Sequence, residues 1–215
     1  GAKWVSTSKI PFVNETGKIL GVIGVSMDIT ERKRMEMQIQ AQAALKTHQT
    51  ELSDQMRGDQ QMDVLCLKII TSLCKRVEAQ TGLMYLAGDD GALRLAAGYA
   101  HKHNKNLATE YKPGEGLIGQ AALEKQDVSL ADVPEDYFTI ESGLGASVPR
   151  NLHIKPIVHN GSVVAVLEFG TLFEFADSHS EFLNAVSESI AMAMESARAR
   201  STQANLLEES RQLSE

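Results

Sequence analysis

"NLHIKPIVHNGSVVAVLEFGTLF", residues 151–173, holds two apolar, largely β-branched runs separated by His159-Asn160-Gly161. Asn-Gly suits a tight hairpin turn, because both positions must take a positive φ that bulkier residues resist. The stretch predicts an antiparallel hairpin. A second one is predicted upstream, where "GLMYLAG" (82–88) and "LRLAAGY" (93–99) flank Asp89-Asp90-Gly91. Ahead of both, Met62, Leu65, Cys66, Ile69, Ile70, Leu73 and Val77 form an apolar arc wide enough to lie on a sheet. Behind both, Asp177 or Ser178 caps a helix on which Phe182, Val186, Ile190, Ala193 and Ala197 recur at helical spacing. Past Arg198 that helix is predicted to run on with a polar surface. The order helix, hairpin, irregular middle, hairpin, helix predicts an α+β domain whose antiparallel sheet carries its N- and C-terminal helices on one face. Within the middle, a polar loop leads to a short helix over 119–125, an extended "DVSLADV", and an irregular stretch from Pro134 to Pro149.

The first thirty residues read as another hairpin, Lys3 to Val13 and Lys18 to Met27, turned by Asn14-Glu15-Thr16-Gly17. "ILGVIGV" is apolar on both faces, and two strands alone are marginal in water, so this hairpin is expected to be the tail of a domain and to seek another strand or chain. Asp28 with Glu31 matches a capping box, and Thr30 offers an alternative cap hydroxyl. From there to Arg57 no glycine or proline intervenes. The best heptad frame puts Met35, Gln42, Gln49 and Met56 at one seam position and Gln38, Leu45 and Leu52 at the other. Three of those seven seam residues are glutamine, which suits either a helix pair that slips between two packings or a solvated spacer. The expected divisions are 1–29 for the incomplete hairpin domain, 30–58 for a linker helix, 59–200 for the core domain and 201–215 for an exit coiled coil.

Composition narrows the function classes. The chain has 215 residues, 43% hydrophobic and 23% charged, with a formal net charge of −7. An acidic balance without a Lys/Arg stripe argues against nucleic acid or an anionic membrane as partner. Its longest nearly apolar run, Ile19 to Met27, falls far short of the roughly 20 residues of a membrane helix. No leader pattern is read at the start, where Gly1-Ala2 suggests a piece cut from a larger protein. Two cysteines, Cys66 and Cys74, both on a helical pattern, suit a reducing cytoplasm.

The residues carry two resemblances. "WVSTSKIPFVNETGKILGVIGVSMDITERKRME" (4–36) resembles the closing hairpin of a PAS sensor domain with its exit helix. "KPGEGLIGQAALEKQDVSLADVPEDY", "SGLGASVPRNLHIKPIVHNGSVVAVLEFG" and "FLNAVSESIAMAMESARAR" resemble a GAF domain of the kind found in bacterial multi-sensor histidine kinases, and "STQANLLEESRQLSE" is similar to the coiled linker that follows it. The resemblance implies a sensory and dimerisation module, a homodimer through parallel linker helices with Met35, Leu45, Leu52 and Met56 in the seam, and a signalling junction at Asp28, Thr30 and Glu31. A small-molecule ligand is compatible with it, and no cofactor is required.

Chemical motifs are sparse. Gly114-Glu-Gly-Leu-Ile-Gly119 is a literal G-x-G-x-x-G, but a dinucleotide site needs a preceding parallel strand, so these glycines are expected to turn a loop into a helix. His101 and His103 lack a third metal ligand nearby, and no metal site is predicted. His153 stands in an apolar strand, as a hydrogen-bonded core residue or as an axial haem ligand; the latter defines an alternative gas- or redox-sensing function. No loop cysteine is available for a bilin. Asn104-Lys105 begins a cyclic-nucleotide signature without continuing it. Glu135-Asp136 reads as a solvated acidic pair. Catalytic residues are not predicted: phosphoacceptor, ATP-binding and Ser-His-Asp patterns are missing, and a cysteine-based reductase of GAF fold is a remote alternative. Tyr99, Tyr111, Tyr137, Phe138, Arg150 and His153 either border a ligand pocket or pack a long connection.

Overall fold

The computed structural model describes residues 3–58, 60–100, 108–133, 140–142 and 145–212. It divides into two compact units, Gly1–His48 and Gln49–Glu215.

In the first unit, strands β1 (Val5–Val13) and β2 (Ile19–Asp28) pair antiparallel and lead into helix α1 (Thr30–Met56). Asn14 organises the turn, its side-chain oxygen accepting from the Thr16 and Lys18 backbone N–H groups, while Gly17 takes φ +80°. Ile10, Phe12, Val22 and Val25 are all more than half exposed, so this hairpin carries apolar side chains on an open surface. The join to α1 is tightly held. Asp28 accepts the Thr30 N–H at 2.8 Å, whereas the Thr30 hydroxyl turns back to accept the Trp4 N–H at 2.9 Å. Thr30 therefore ties the helix start to β1 rather than capping it, and Glu31 is exposed.

The second unit begins with the last turns of α1. Leu52 and Met56 are buried there, and the Gln49 amide donates to the Ala185 carbonyl at 3.1 Å. These two seam residues are thus covered within a single chain, while Met35 is exposed. The helix ends at Met56 and Gly58 takes φ +95°, so α2 (Met62–Arg76) is a separate helix, as the division near residue 58 expects.

Next come β3 (Thr81–Ala87), β4 (Leu93–Tyr99), β5 (Glu110–Tyr111), α3 (Gly116–Glu124), β6 (Val128–Ala131), the small hairpin β7 (Ile140–Ser142) and β8 (Gly145–Ser147), β9 (Asn151–His159), β10 (Ser162–Thr171) and α4 (Asp177–Gln212). The main sheet has the order β5-β4-β3-β10-β9-β6, antiparallel throughout. Both hairpins legible in the sequence are present, and they meet at the centre through β3 and β10. The turn between β9 and β10 uses Asn160 (φ +48°) and Gly161 (φ +77°), the two positive angles that the Asn-Gly pair supplies. Differences from the sequence expectation fall in the middle of the unit: the polar loop contains β5, α3 starts at Gly116 rather than Gly119, and the irregular stretch contains β7 and β8.

Sheet pleating sorts the side chains. Helices α2 and α4 pack on one face, where Gly82 of β3 lies so close to the Cys74 thiol and Ile70 of α2 that a Cβ would collide. On the other face α3 brings Ile118, Ala121 and Ala122 against Leu83, Tyr85, Leu93, Ile154 and Val166. Gly114 and Gly116 carry positive φ, and Gly119 sits against the Lys112 carbonyl with no room for a side chain. The glycine motif thus packs the loop into α3 beside an antiparallel sheet, without the βαβ unit that a dinucleotide site requires.

Candidate functional site

Two groups of buried polar residues lie on opposite faces of the β9–β10 hairpin, and neither was predicted as a set from the sequence.

On the α3 side, β10 contributes Glu168. It follows Val166 by two residues and pairs with Leu83 of β3 and Ile154 of β9, all three members of the α3-side core. Glu168 is 9% exposed. Burial alone pushes its pKa up from the ordinary 4.5 to about 7. Two tyrosines share this face. Tyr85 is fully buried and donates from its hydroxyl to the Ala108 carbonyl at 3.4 Å. Tyr111 of β5 meets the Tyr85 ring edge-on, centroids 5.4 Å apart. The Tyr111 hydroxyl is held above its usual range by burial first and then by the charge of Glu168.

On the α4 side, His153 and Lys155 of β9 project toward α4. The Lys155 ammonium donates to both Asp127 oxygens at 3.1 Å and to the Asn184 side-chain oxygen of α4 at 2.6 Å. His153 is 3% exposed, with Nδ1 at 2.9 Å from Ser129 Oγ, Nε2 at 3.6 Å from Asp127 and the ring stacked on Phe175 at 4.2 Å. Burial raises the Asp127 pKa, but hydrogen bonds from His153 and Lys155 outweigh it and leave the carboxyl below its ordinary value. Nδ1 is thus paired with Ser129, whereas Nε2 is buried without a hydrogen-bond partner among the described residues.

Of the six residues expected at a pocket, the four described ones lie on different faces of the sheet. Tyr111 stands on the α3 side. Tyr99 pairs with Gly82 and so shares the α2 face, His153 lies on the α4 face, and Arg150 is exposed at the start of β9. Tyr137 and Phe138 lie outside the described residues, as do His101, His103, Asn104, Lys105, Glu135 and Asp136. Glu168 and Lys155 were missed, although each announces itself as a lone charge inside an apolar strand. Cys66 and Cys74 are buried in α2, and burial pushes both thiols up to about 12.

The chain matches the family model described as GAF domain over residues 60–195. It belongs to the GAF family. The GAF domain of a Coxiella burnetii phosphoenolpyruvate-protein phosphotransferase is similar at 21% identity and TM-score 0.59, over 74% of this chain and 96% of that one. The corresponding Acinetobacter GAF domain matches at 14% and 0.58, over 71% and 93%. A free methionine-R-sulfoxide reductase from Neisseria meningitidis, solved with its substrate, matches at 16% and 0.55, over 74% and 91%. Identities this low speak for the fold alone. No curated protein matches. The GAF domain is a sensory and regulatory fold, and among the described residues no helix is long and apolar enough to cross a membrane.

Proposed function

We propose that this chain is the sensory and dimerisation part of a bacterial signal-transduction protein of the sensor histidine kinase kind. In this reading the leading hairpin is the tail of a PAS domain, and a small molecule held by the GAF domain biases the packing of helices in a cytoplasmic homodimer.

The observation that carries the reading is the length of α4. Its Phe182, Leu183, Val186, Ile190 and Ala197 are buried in the domain, and Arg198 then pairs with Asp89 in the β3–β4 turn. Beyond that anchor the helix continues to Gln212, with Leu206 and Leu207 about 60% exposed. A helical extension this short has little stability of its own in water, so a second helix is needed to cover its leucines. The counterpart in a twofold assembly is the same helix of another copy. Exposed Met35, Met37 and Ile39 on α1 offer a further apolar surface. A ligand moves such an equilibrium only by its differential affinity for the two packings, so a tenfold shift needs about 1.4 kcal/mol.

The proposed role is non-enzymatic. Cysteine chemistry, as in a sulfoxide reductase, requires an accessible thiolate, and both thiols here are buried and held protonated. Sedimentation equilibrium tests the reading: the chain is expected to be a dimer at micromolar concentration and to dissociate more readily once Leu206→Glu and Leu207→Glu are introduced together. A strict monomer at high micromolar concentration overturns it.

A further inference from the structure

We propose that a second copy of this chain pairs with the outer edge of β2, the two β2 strands running antiparallel about a twofold axis at Gly24 and joining two hairpins into one four-stranded sheet. The inference rests on the homodimer of the reading above, not on its PAS assignment, and adds a second contact in the first unit.

The two edges of the hairpin are not alike. β1 and β2 form a two-stranded sheet, so among the described residues both outer edges are open. Ile29 donates its N–H to the Trp4 carbonyl at 2.9 Å. Ladder bonds alternate along an antiparallel pair, so Thr7, Lys9 and Pro11 of β1 and Val22, Gly24 and Ser26 of β2 turn their backbone groups outward. On the β1 edge Pro11 has no N–H to offer and Lys9 adds a charge, the two features that close an edge to a further strand. The β2 edge has neither. From Val22 to Ser26 it presents an unbroken row of N–H and C=O groups, and Gly24 lies near the middle of its regular run.

The faces differ too. Register gathers Ile10, Phe12, Ile23, Val25 and Met27 on one face, each 52–63% exposed, and leaves the hydrogen-bonded Thr7 and Ser26 hydroxyls with Lys9 on the other. A contiguous apolar patch of this kind marks an interaction surface. The occupant follows from what the chain has left. Every other described strand is already paired, in the six-stranded sheet or in β7–β8, so the added strand comes from another chain. β2 is complementary to itself. An antiparallel pair centred on Gly24 sets Ile23 of one copy against Val25 of the other, and Gly21, which has no side chain, against Met27. The apolar face then runs on unbroken across the twofold, as an isologous contact requires.

Cross-linking of the full chain tests the edge. Facing residues of an antiparallel ladder have Cα atoms about 5.5 Å apart, within reach of a disulfide, and the native Cys66 and Cys74 are buried. Under mild oxidation Gly24→Cys is expected to give a covalent dimer on a non-reducing gel, and Thr7→Cys, on the β1 edge, to give none. Gly24→Glu is the second variant. Within the hairpin its side chain has room and faces Lys9, which supports the fold, while across the twofold two carboxylates meet. Sedimentation equilibrium is expected to show its dimer dissociating at least ~10-fold more readily than wild type. No cross-link at Gly24→Cys, equal cross-linking at both edges, or unchanged dimerisation of Gly24→Glu overturns the inference; if the wild type is still a dimer, the α4 contact stands alone. A strict monomer removes both.

Discussion

Lys155 and Glu168 occupy neighbouring strands of one hairpin and are buried to the same degree, yet their surroundings are opposite. On the α4 side, Lys155 is paired with Asp127 and Asn184, and His153 with Ser129 through Nδ1. On the α3 side, Glu168 lies among Leu83, Ile154 and Val166 with Tyr111 close enough to feel its charge. Charge burial is therefore not itself a mark of function. The polar cluster on the α4 side fastens β6 and α4 to the sheet, while Glu168 answers its burial by holding its proton more tightly.

Substitution at each end separates the two cases. Glu168→Gln is expected to give the largest effect, and to stabilise. The folded pKa near 7 lies above the ordinary 4.5, so the folded chain holds a proton that the unfolded chain releases between those values. The stability linked to that proton is fully present below about pH 4.5 and is lost as pH rises through about 7. Denaturant unfolding should thus show the variant matching wild type near pH 4.5 and exceeding it by about 3 kcal/mol at pH 8. Equal pH dependence in the two proteins would mean that the carboxylate is already paired.

Asp127→Ala is expected to act the other way. It leaves the Lys155 ammonium buried with only Asn184, and since Asp127 is partly solvated the loss should be about 2 kcal/mol, below the usual range for a fully buried pair. An unchanged unfolding midpoint would break the contrast between the two faces. The smallest effect is expected from Ser129→Ala, which removes one hydrogen bond to His153 Nδ1 and should cost about 1 kcal/mol in the same unfolding measurement. A loss as large as that of Asp127→Ala would undo this ranking.

Much of the fold was legible because its signals are local. Asn160-Gly161 and Asp89-Asp90-Gly91 specify turns through their own dihedral needs, and the arcs on α2 and α4 announce a sheet-covering face. β5 is illegible because two residues carry no periodicity, and α3 starts earlier than expected because Gly116 opens the helix from a positive φ that the spacing of apolar residues does not announce. The pocket residues were gathered by their proximity along the chain and their aromatic character. Register then sent Tyr99 and His153 to one face of the sheet and Tyr111 to the other.

By itself the sequence determined the α+β class, the two hairpins, the bracketing helices and the GAF identity, since each follows from spacing within a few dozen residues. Only the tertiary structure decided which buried charges are answered. Pairing between strands far apart in the chain places Leu83 and Ile154 around Glu168 and carries Asp127 to Lys155, and no local pattern encodes the face on which a distant partner arrives.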